Sequence, residues 1–447
     1  MRILTWNSLA PEQRTDALRR PALRGAAELE RAVAEIVEAV RRGGDAALRD
    51  LGARFDGVRL EEFAVTAAEF AAAEGALDRE QHAAIDVAID AVRRFHAAEV
   101  QPPIRVETLP GVICERYSVP IGAVGLYVPA GSAPLPSTAI MLAVPAALAG
   151  CPVRTICSPP RPTGAADPAV LVAARRAGVE RVFKLGGAQA IAAMAYGTAS
   201  VPKCDKIFGP GNAWVTAAKL RVAADPLGAA ADLPAGVTEV LVIADDGADP
   251  RFVAADLLAQ AEHGPDAQAL LVTDSPALAA ATAAEVERQR RNLSRRAVLE
   301  ESIGHMRAIV VASLEQGFEL ANAYAPEHLL LQLREPRRWL AAVRSAGAVF
   351  LGPWSPESVG DYCAGPNHTL PTYGHARAYS GLGLEDFQKR ITVQELTPAG
   401  LRAAGPTAAV LAALEGLDGH AAAVAVRLRA LDGHTPDGHT PQPMEAS

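Results

Sequence analysis

Cysteine is scarce in this chain, and what there is cannot form a framework. Five residues occur, Cys114, Cys151, Cys157, Cys204 and Cys363, an odd number with wide spacings and no C-x-x-C pair. A disulfide scaffold is excluded, and reduced thiols in a cytoplasmic protein are the expectation. No basic block is present and the net charge is −8, so a nucleic-acid partner is not expected. Long apolar runs are missing as well. The apolar stretch 140–150 is too short to span a bilayer and contains Pro145, so no membrane segment is expected. The opening Met1-Arg-Ile-Leu-Thr-Trp has neither an apolar core nor a small-residue cleavage site, as a secretory leader would. Also absent is a G-x-G-x-x-G after an expected strand, the usual dinucleotide fingerprint.

What is present is globular. The 447 residues are 50% hydrophobic and 21% charged, enough for about two to four domains at roughly 150 residues each. Residues 26–42 repeat apolar side chains at helical spacing and stop at Gly43-Gly44. Shorter helices are expected over 45–55 and 66–73, and a long one over 78–99, halted by Pro102-Pro103. From residue 122 short β-rich runs alternate with helical ones. Strands are expected at 122–128, 181–185, 206–208, 239–244, 269–272, 308–311, 328–332 and 348–351. That alternation is the pattern of an α/β fold with largely parallel sheets, whose ligands usually sit at the carboxyl ends of the strands. After Phe387 three small helices are expected, over 397–404, 407–414 and 420–431. The last residues, 432–447, repeat Asp-Gly-His-Thr-Pro and read as a disordered tail containing His434 and His439.

Four segments place reactive side chains together. Gln260 and His263 share one face at the end of a helix expected over 250–263, and both can offer a neutral ligand atom to zinc. Taken alone, the same turn reads as a polar helix end with His263 against the helix dipole. Ala325-Pro-Glu327-His328 sets a carboxylate beside an imidazole at the entry to a buried strand. Such a pair can divide acid and base work if a turn holds both toward one substrate; a lone Glu-His there is otherwise a solvated loop. Asp361 and His368 lie seven residues apart in a polar, turn-rich stretch, either a functional loop or a connection. Glu415 and His420 flank a helix junction, where singly they read as solvated caps. Three glycine loops, Tyr127-Val-Pro-Ala-Gly131, Lys184-Leu-Gly-Gly-Ala-Gln189 and Gly209-Pro-Gly-Asn212, each follow an expected strand and precede a helix. Their amides can hold a pyrophosphate, and tight strand-to-helix turns explain them equally well.

In order and spacing, the chain from about residue 20 to 431 resembles the histidinol dehydrogenase family. The strings that carry the resemblance are Val119-Pro-Ile-Gly-Ala-Val-Gly-Leu-Tyr-Val-Pro, Lys206-Ile-Phe-Gly-Pro-Gly-Asn, Asp232-Leu-Pro-Ala-Gly, Gln260-Ala-Glu-His, Ala325-Pro-Glu-His-Leu, Gly365-Pro-Asn-His-Thr-Leu-Pro-Thr and Glu415-Gly-Leu-Asp-Gly-His. The resemblance implies oxidation of L-histidinol to L-histidine through an aldehyde, with two NAD+ and one zinc per subunit. It implies Gln260, His263, Asp361 and His420 as zinc ligands and Glu327 and His328 as catalytic residues. NAD+ would meet Tyr127, Gln189 and Asn212. Substrate would meet Thr238, Gln260, His263, His328, Asp361, His368, Glu415 and His420. The implied fold is α/β, with two incomplete Rossmann-like domains, one inserted in the other, and a small helical C-terminal tail. The implied divisions are 20–125 with 239–380, the insert 126–238, a tail 381–431 reaching the partner of a homodimer, and the disordered end 432–447.

Two departures stand out. Thr238 replaces a common serine, adding a methyl to the hydroxyl, and Ala130 replaces a common glycine, a costly change if that residue needs positive φ. Thr238 keeps open an alternative substrate, another polar alcohol such as a sulfonated diol, for the same machinery. A paralogue without activity would have lost a ligand or one of the pair Glu327 and His328, and none is lost.

Overall fold

The computed structural model describes residues 1–21, 26–130 and 133–433. Gly131, His434, His439 and all but the first two residues of the expected tail 432–447 lie outside them. Residues 1–100 and 120–387 form one compact unit, and residues 101–119 with the chain from Gln388 onward form a second.

The first unit holds two parallel sheets. One runs Val182–Lys184, Val153–Ser158, Ala123–Tyr127, Lys206–Phe208, Ala230–Ala231 from edge to edge. Numbered along the chain, that order is 3-2-1-4-5. The other contains Arg307–Val310, Gln268–Thr273, Glu239–Ala244, His328–Gln332 and Ala348–Leu351, again in the order 3-2-1-4-5. The N-terminal strand Arg2–Thr5 adds to its edge beside Arg307–Val310. In each sheet the chain order reverses between the first and fourth strands, which opens a crevice there. The central strands Glu239–Ala244, Gln268–Thr273 and His328–Gln332 are buried throughout, as expected of strands covered on both faces.

Local signals explain most helices. Helix Ala26–Phe55 runs through the expected stop, but Gly44, at φ 52° and ψ −133°, bends it there into two segments. Thr66 and Asp78 close capping boxes on helices Ala67–Ala76 and Arg79–Ala97, and Asp167 caps Pro168–Arg176. Val33, Ile36, Val37, Val40 and Leu48 pack with Phe183 and Ile191, while Ile85, Ile89 and Val92 pack with Met141 and Leu142. The N-terminal helices therefore cover the five-stranded sheet.

The second unit pairs the hairpin Ile104–Leu109 and Val112–Pro120 with strand Gln388–Leu396. It then forms two helices, Pro398–Leu414 and Asp418–Leu431. Here the sequence expectation needs correction, because one helix spans Gly405-Pro406 where two were expected. Gly405 is buried against the second helix, and a Cβ there would meet Val424 at 3.1 Å and Leu428 at 3.3 Å. Packing of the pair thus outweighs the local break. Among the described residues no helix is long and apolar enough to cross a membrane.

Candidate active site

A cleft of about 760 Å3 lies where the two sheets of the first unit approach. The five-stranded sheet contributes from carboxyl ends: Tyr127 closes one strand, and Pro159, Gly187 to Gln189 and Pro210 to Asn212 follow three others. The six-stranded sheet contributes from amino ends: Thr238 precedes one strand and His328 begins another. The carboxyl-end expectation therefore holds for one sheet and is reversed in the other.

Glu327 and His328 lie at the floor. The preceding helix, Leu314–Tyr324, ends at Ala325 in the left-handed region, φ 54°. Pro326 follows, and Glu327 lies before the alternation of strand His328–Gln332 begins, so both side chains line the cleft. Glu327 Oε2 accepts from Thr238 Oγ1 at 2.7 Å and from the Glu239 amide at 2.8 Å. Burial pushes its pKa up to about 7, although His328 and these donors favour the carboxylate. His328 Nδ1 lies 3.6 Å from Glu327 Oε2 and 3.5 Å from Glu357 Oε1, and its Nε2 lies 3.5 Å from Asp361 Oδ1. Burial disfavours the imidazolium, but Glu357, Glu327 and Asp361 outweigh it and hold the pKa well above the ordinary histidine value. These separations are longer than good hydrogen bonds, and Nε2 has no hydrogen-bond partner among the described residues.

Glu357 is the residue that sequence reasoning missed. It opens the short helix Glu357–Tyr362, one turn before Asp361, so the two carboxylates share a face. The E-x-x-x-D spacing was the available signal. Burial drives Glu357 up to about 8, partly offset by His328. Gln260, wholly buried, lies between Glu357 and Thr238. With its amide nitrogen facing the carboxylate it donates to Glu357 Oε2 at 3.1 Å.

The donor chemistry suits a divalent cation. His328, Glu357 and Asp361 offer ligand atoms within 4.8 Å of one another. Burial opposes the Asp361 carboxylate, yet His328, His368 and His263 hold its pKa below the ordinary value. His263 Nδ1 lies 2.9 Å from the Ala259 carbonyl, which fixes the tautomer and leaves Nε2 as a lone-pair donor. Burial drives the His368 pKa down, and its Nε2 has no hydrogen-bond partner among the described residues. Carboxylate, imidazole and amide donors are the mixed set that zinc accepts. Glu415 and His420 belong to the second unit, at the turn between its helices, and both are exposed.

The residues expected to meet the dinucleotide line the same cleft. Tyr127 Oη accepts the Gly187 amide at 3.0 Å, and Gln189 Nε2 lies 3.4 Å from Asp56 Oδ2. Asn212 Oδ1 caps helix Ala213–Ala223 through Trp214 and Val215. Ala130 is not among the non-glycine residues with positive φ, so its Cβ carries no backbone penalty. The Thr238 hydroxyl is committed to Glu327.

These features define an α/β enzyme with a buried carboxylate–imidazole pair in an open cleft. A match to the histidinol dehydrogenase family covers residues 19–428. The histidinol dehydrogenase of Xanthomonas axonopodis pv. citri is 58% identical over 422 residues, covering 94% of this chain and 97% of its own. That of Aliivibrio fischeri is 50% identical over 420 residues, covering 94% and 95%. The crystal structure of histidinol dehydrogenase from Elizabethkingia anophelis has a TM-score of 0.92 at 42% identity, covering 97% of this chain and 99% of that one. The chain belongs to the histidinol dehydrogenase family, which is a family of oxidoreductases.

Proposed function

We propose that this protein oxidises L-histidinol to L-histidine through L-histidinaldehyde, using two NAD+ and one zinc ion per subunit. The observation that carries the reading is a single cleft lined by Glu327, His328, His263 and Asp361 together with Tyr127, Gln189 and Asn212. Gln260, His263 and Asp361 would hold the zinc with His420, and the metal would orient the imidazole and amine of the substrate. His328 takes the hydroxyl proton as the carbinol hydride passes to the nicotinamide, because an alcohol is far too weak an acid to ionise unaided. Glu327 takes a proton from water as the water adds to the aldehyde carbon, and protonated His328 returns its proton to the carbonyl oxygen, which gives the hydrate and leaves His328 free to act as a base again. His328 then accepts the hydroxyl proton of the hydrate while a second hydride leaves, giving the acid. Thr238 and the Glu239 amide hold Glu327 in place for this step, and Thr238, His368 and Glu415 complete the substrate contacts.

The matching 3-2-1-4-5 orders support two incomplete Rossmann-like units, with the five-stranded one inserted ahead of Glu239. We further propose a cytoplasmic homodimer in which Glu415 and His420 complete the partner's site. The exposed Val410, Leu411 and Leu414 of that helical pair supply a surface for a second copy to cover. The test is to count NADH per histidinol consumed by the zinc-loaded protein. Two supports both half-reactions, one means that the aldehyde escapes before Glu327 acts, and none refutes the reading.

A further inference from the structure

The motif Asp232-Leu-Pro-Ala-Gly has no part in the chemistry above, yet its residues grip both halves of the cleft. The grip begins at Gly209, the first residue of the loop that carries Asn212. Gly209 has φ 121°, and a Cβ there would run into the Tyr127 carbonyl, so only glycine fits. Both of its backbone polar groups are held by charged side chains. Its amide donates to Asp232 Oδ2 at 2.8 Å, and its carbonyl accepts from Lys219 Nζ at 2.8 Å. Lys219 and Asp232 pair with each other, with side chains 4% and 0% exposed. A buried ion pair is expensive to desolvate and is weak evidence of net stabilisation. Here it holds one strained residue from both sides.

From Asp232 the chain leads directly to the catalytic carboxylate, held at nearly every step. The Pro234 carbonyl accepts the Thr372 amide at 3.3 Å, and the Ala235 carbonyl accepts Thr216 Oγ1 at 2.8 Å. The Gly236 amide donates to Thr372 Oγ1 at 2.8 Å, and the Val237 amide to Tyr373 Oη at 3.2 Å. Thr238 then donates to Glu327. Thr216 lies on the helix that Asn212 caps, so the strap is tied to the dinucleotide loop twice.

We propose that the Lys219–Asp232 pair is a positioning device for the dinucleotide-binding loop. The strap 232–238 sets that loop in register with Glu327. The proposal rests on the reading of Asn212 and its loop as NAD+ contacts. Losing the grip frees the loop to sample other conformations, so cofactor binding must then order it first.

The test is the double variant Lys219→Met/Asp232→Leu, which removes both charges together and leaves neither buried alone. NAD+ affinity is measured by calorimetry, KM for NAD+ and for histidinol by initial rates, and folding by thermal unfolding. Expected are a rise of at least about tenfold in Kd and KM for NAD+ and a histidinol KM within about twofold of the parent, the signature of lost preorganisation at one ligand only. A second variant, Lys219→Met/Asp232→Asn, keeps an acceptor for the Gly209 amide and gives an intermediate rise. It serves as the test if the first does not fold. A variant that shifts Tm but leaves NAD+ affinity unchanged would show the pair to be merely structural and overturn the proposal. A parent that binds no NAD+ would overturn the functional reading and this proposal together, which separates the two failures.

Discussion

Replacing Glu327 by glutamine should cost activity and increase stability, and the structure sets the size of the gain. Glu327 is 7% exposed, and its pKa is displaced from 4.5 to about 7, chiefly by burial. The folded carboxyl therefore keeps its proton up to about pH 7, whereas in the unfolded chain it ionises near the ordinary glutamate value. Between those values the folded state binds more protons, so this group's contribution to stability falls as pH rises and levels off above the folded pKa. That displacement corresponds to about 3 kcal/mol at pH 8, since each unit is worth about 1.4 kcal/mol. Glutamine is neutral at every pH and can still accept the Thr238 and Glu239 donors with its amide oxygen. Urea unfolding of parent and Glu327→Gln, with chelator present so that no cation favours the carboxylate, should show the variant about 3 kcal/mol more stable at pH 8. The difference should shrink to near zero by pH 4. A variant less stable than the parent at pH 8, or a gap that does not change with pH, would refute the reasoning. Histidine formation from histidinaldehyde should be lost in the same variant.

Four other outcomes are expected. Thr238→Val removes a hydroxyl that favours ionised Glu327, so the pH profile of aldehyde oxidation should shift toward alkaline pH, while Thr238→Ser should leave it in place. Glu357→Gln removes the largest of the carboxylate contributions that raise His328. The acid limb of alcohol oxidation should then move to lower pH, as read from kcat against pH. His263→Ala should weaken zinc binding by more than about tenfold in a chelator competition, and added zinc should restore the stripped parent but not the variant at equal concentration. Mixed dimers of Glu327→Gln with His420→Ala should regain activity that neither homodimer has, if His420 acts across the interface; inactive mixtures would place it within its own subunit.

The site was more legible than the arrangement of the elements around it. Strands 239–244 and 328–332 matched their apolar runs, because a fully buried parallel strand is almost continuously apolar; 348–351 matched as well, although it is half-buried at the sheet edge. Val153–Ser158 was overlooked because Arg154 and Thr155 break its run, although Ile156, Cys157 and Ser158 are buried. The break at Gly43-Gly44 was readable as a backbone signal, but nothing in residues 26–97 indicates which sheet they cover. An amphipathic face specifies burial, not its partner. The pair Glu327–His328 stood out as adjacent reactive types. Glu357 did not, because a lone acid in a polar stretch looks solvated until the fold brings it to His328 and Gln260. Gly405-Pro406 failed as a stop because the helix gains more from packing than a single break costs.

The cleft uses the amino ends of strands in the six-stranded sheet, so that sheet's opposite rim carries none of the named site residues. Asp246 and Arg334 stand on this rim, exposed and joined at 2.7 Å. A surface pair of this kind contributes little to stability. The rim is therefore a natural attachment point. A fluorophore, an affinity tag or a tether to a solid support fixed there would leave the reactive face open to solvent, which makes this edge the place to build on when the enzyme is immobilised.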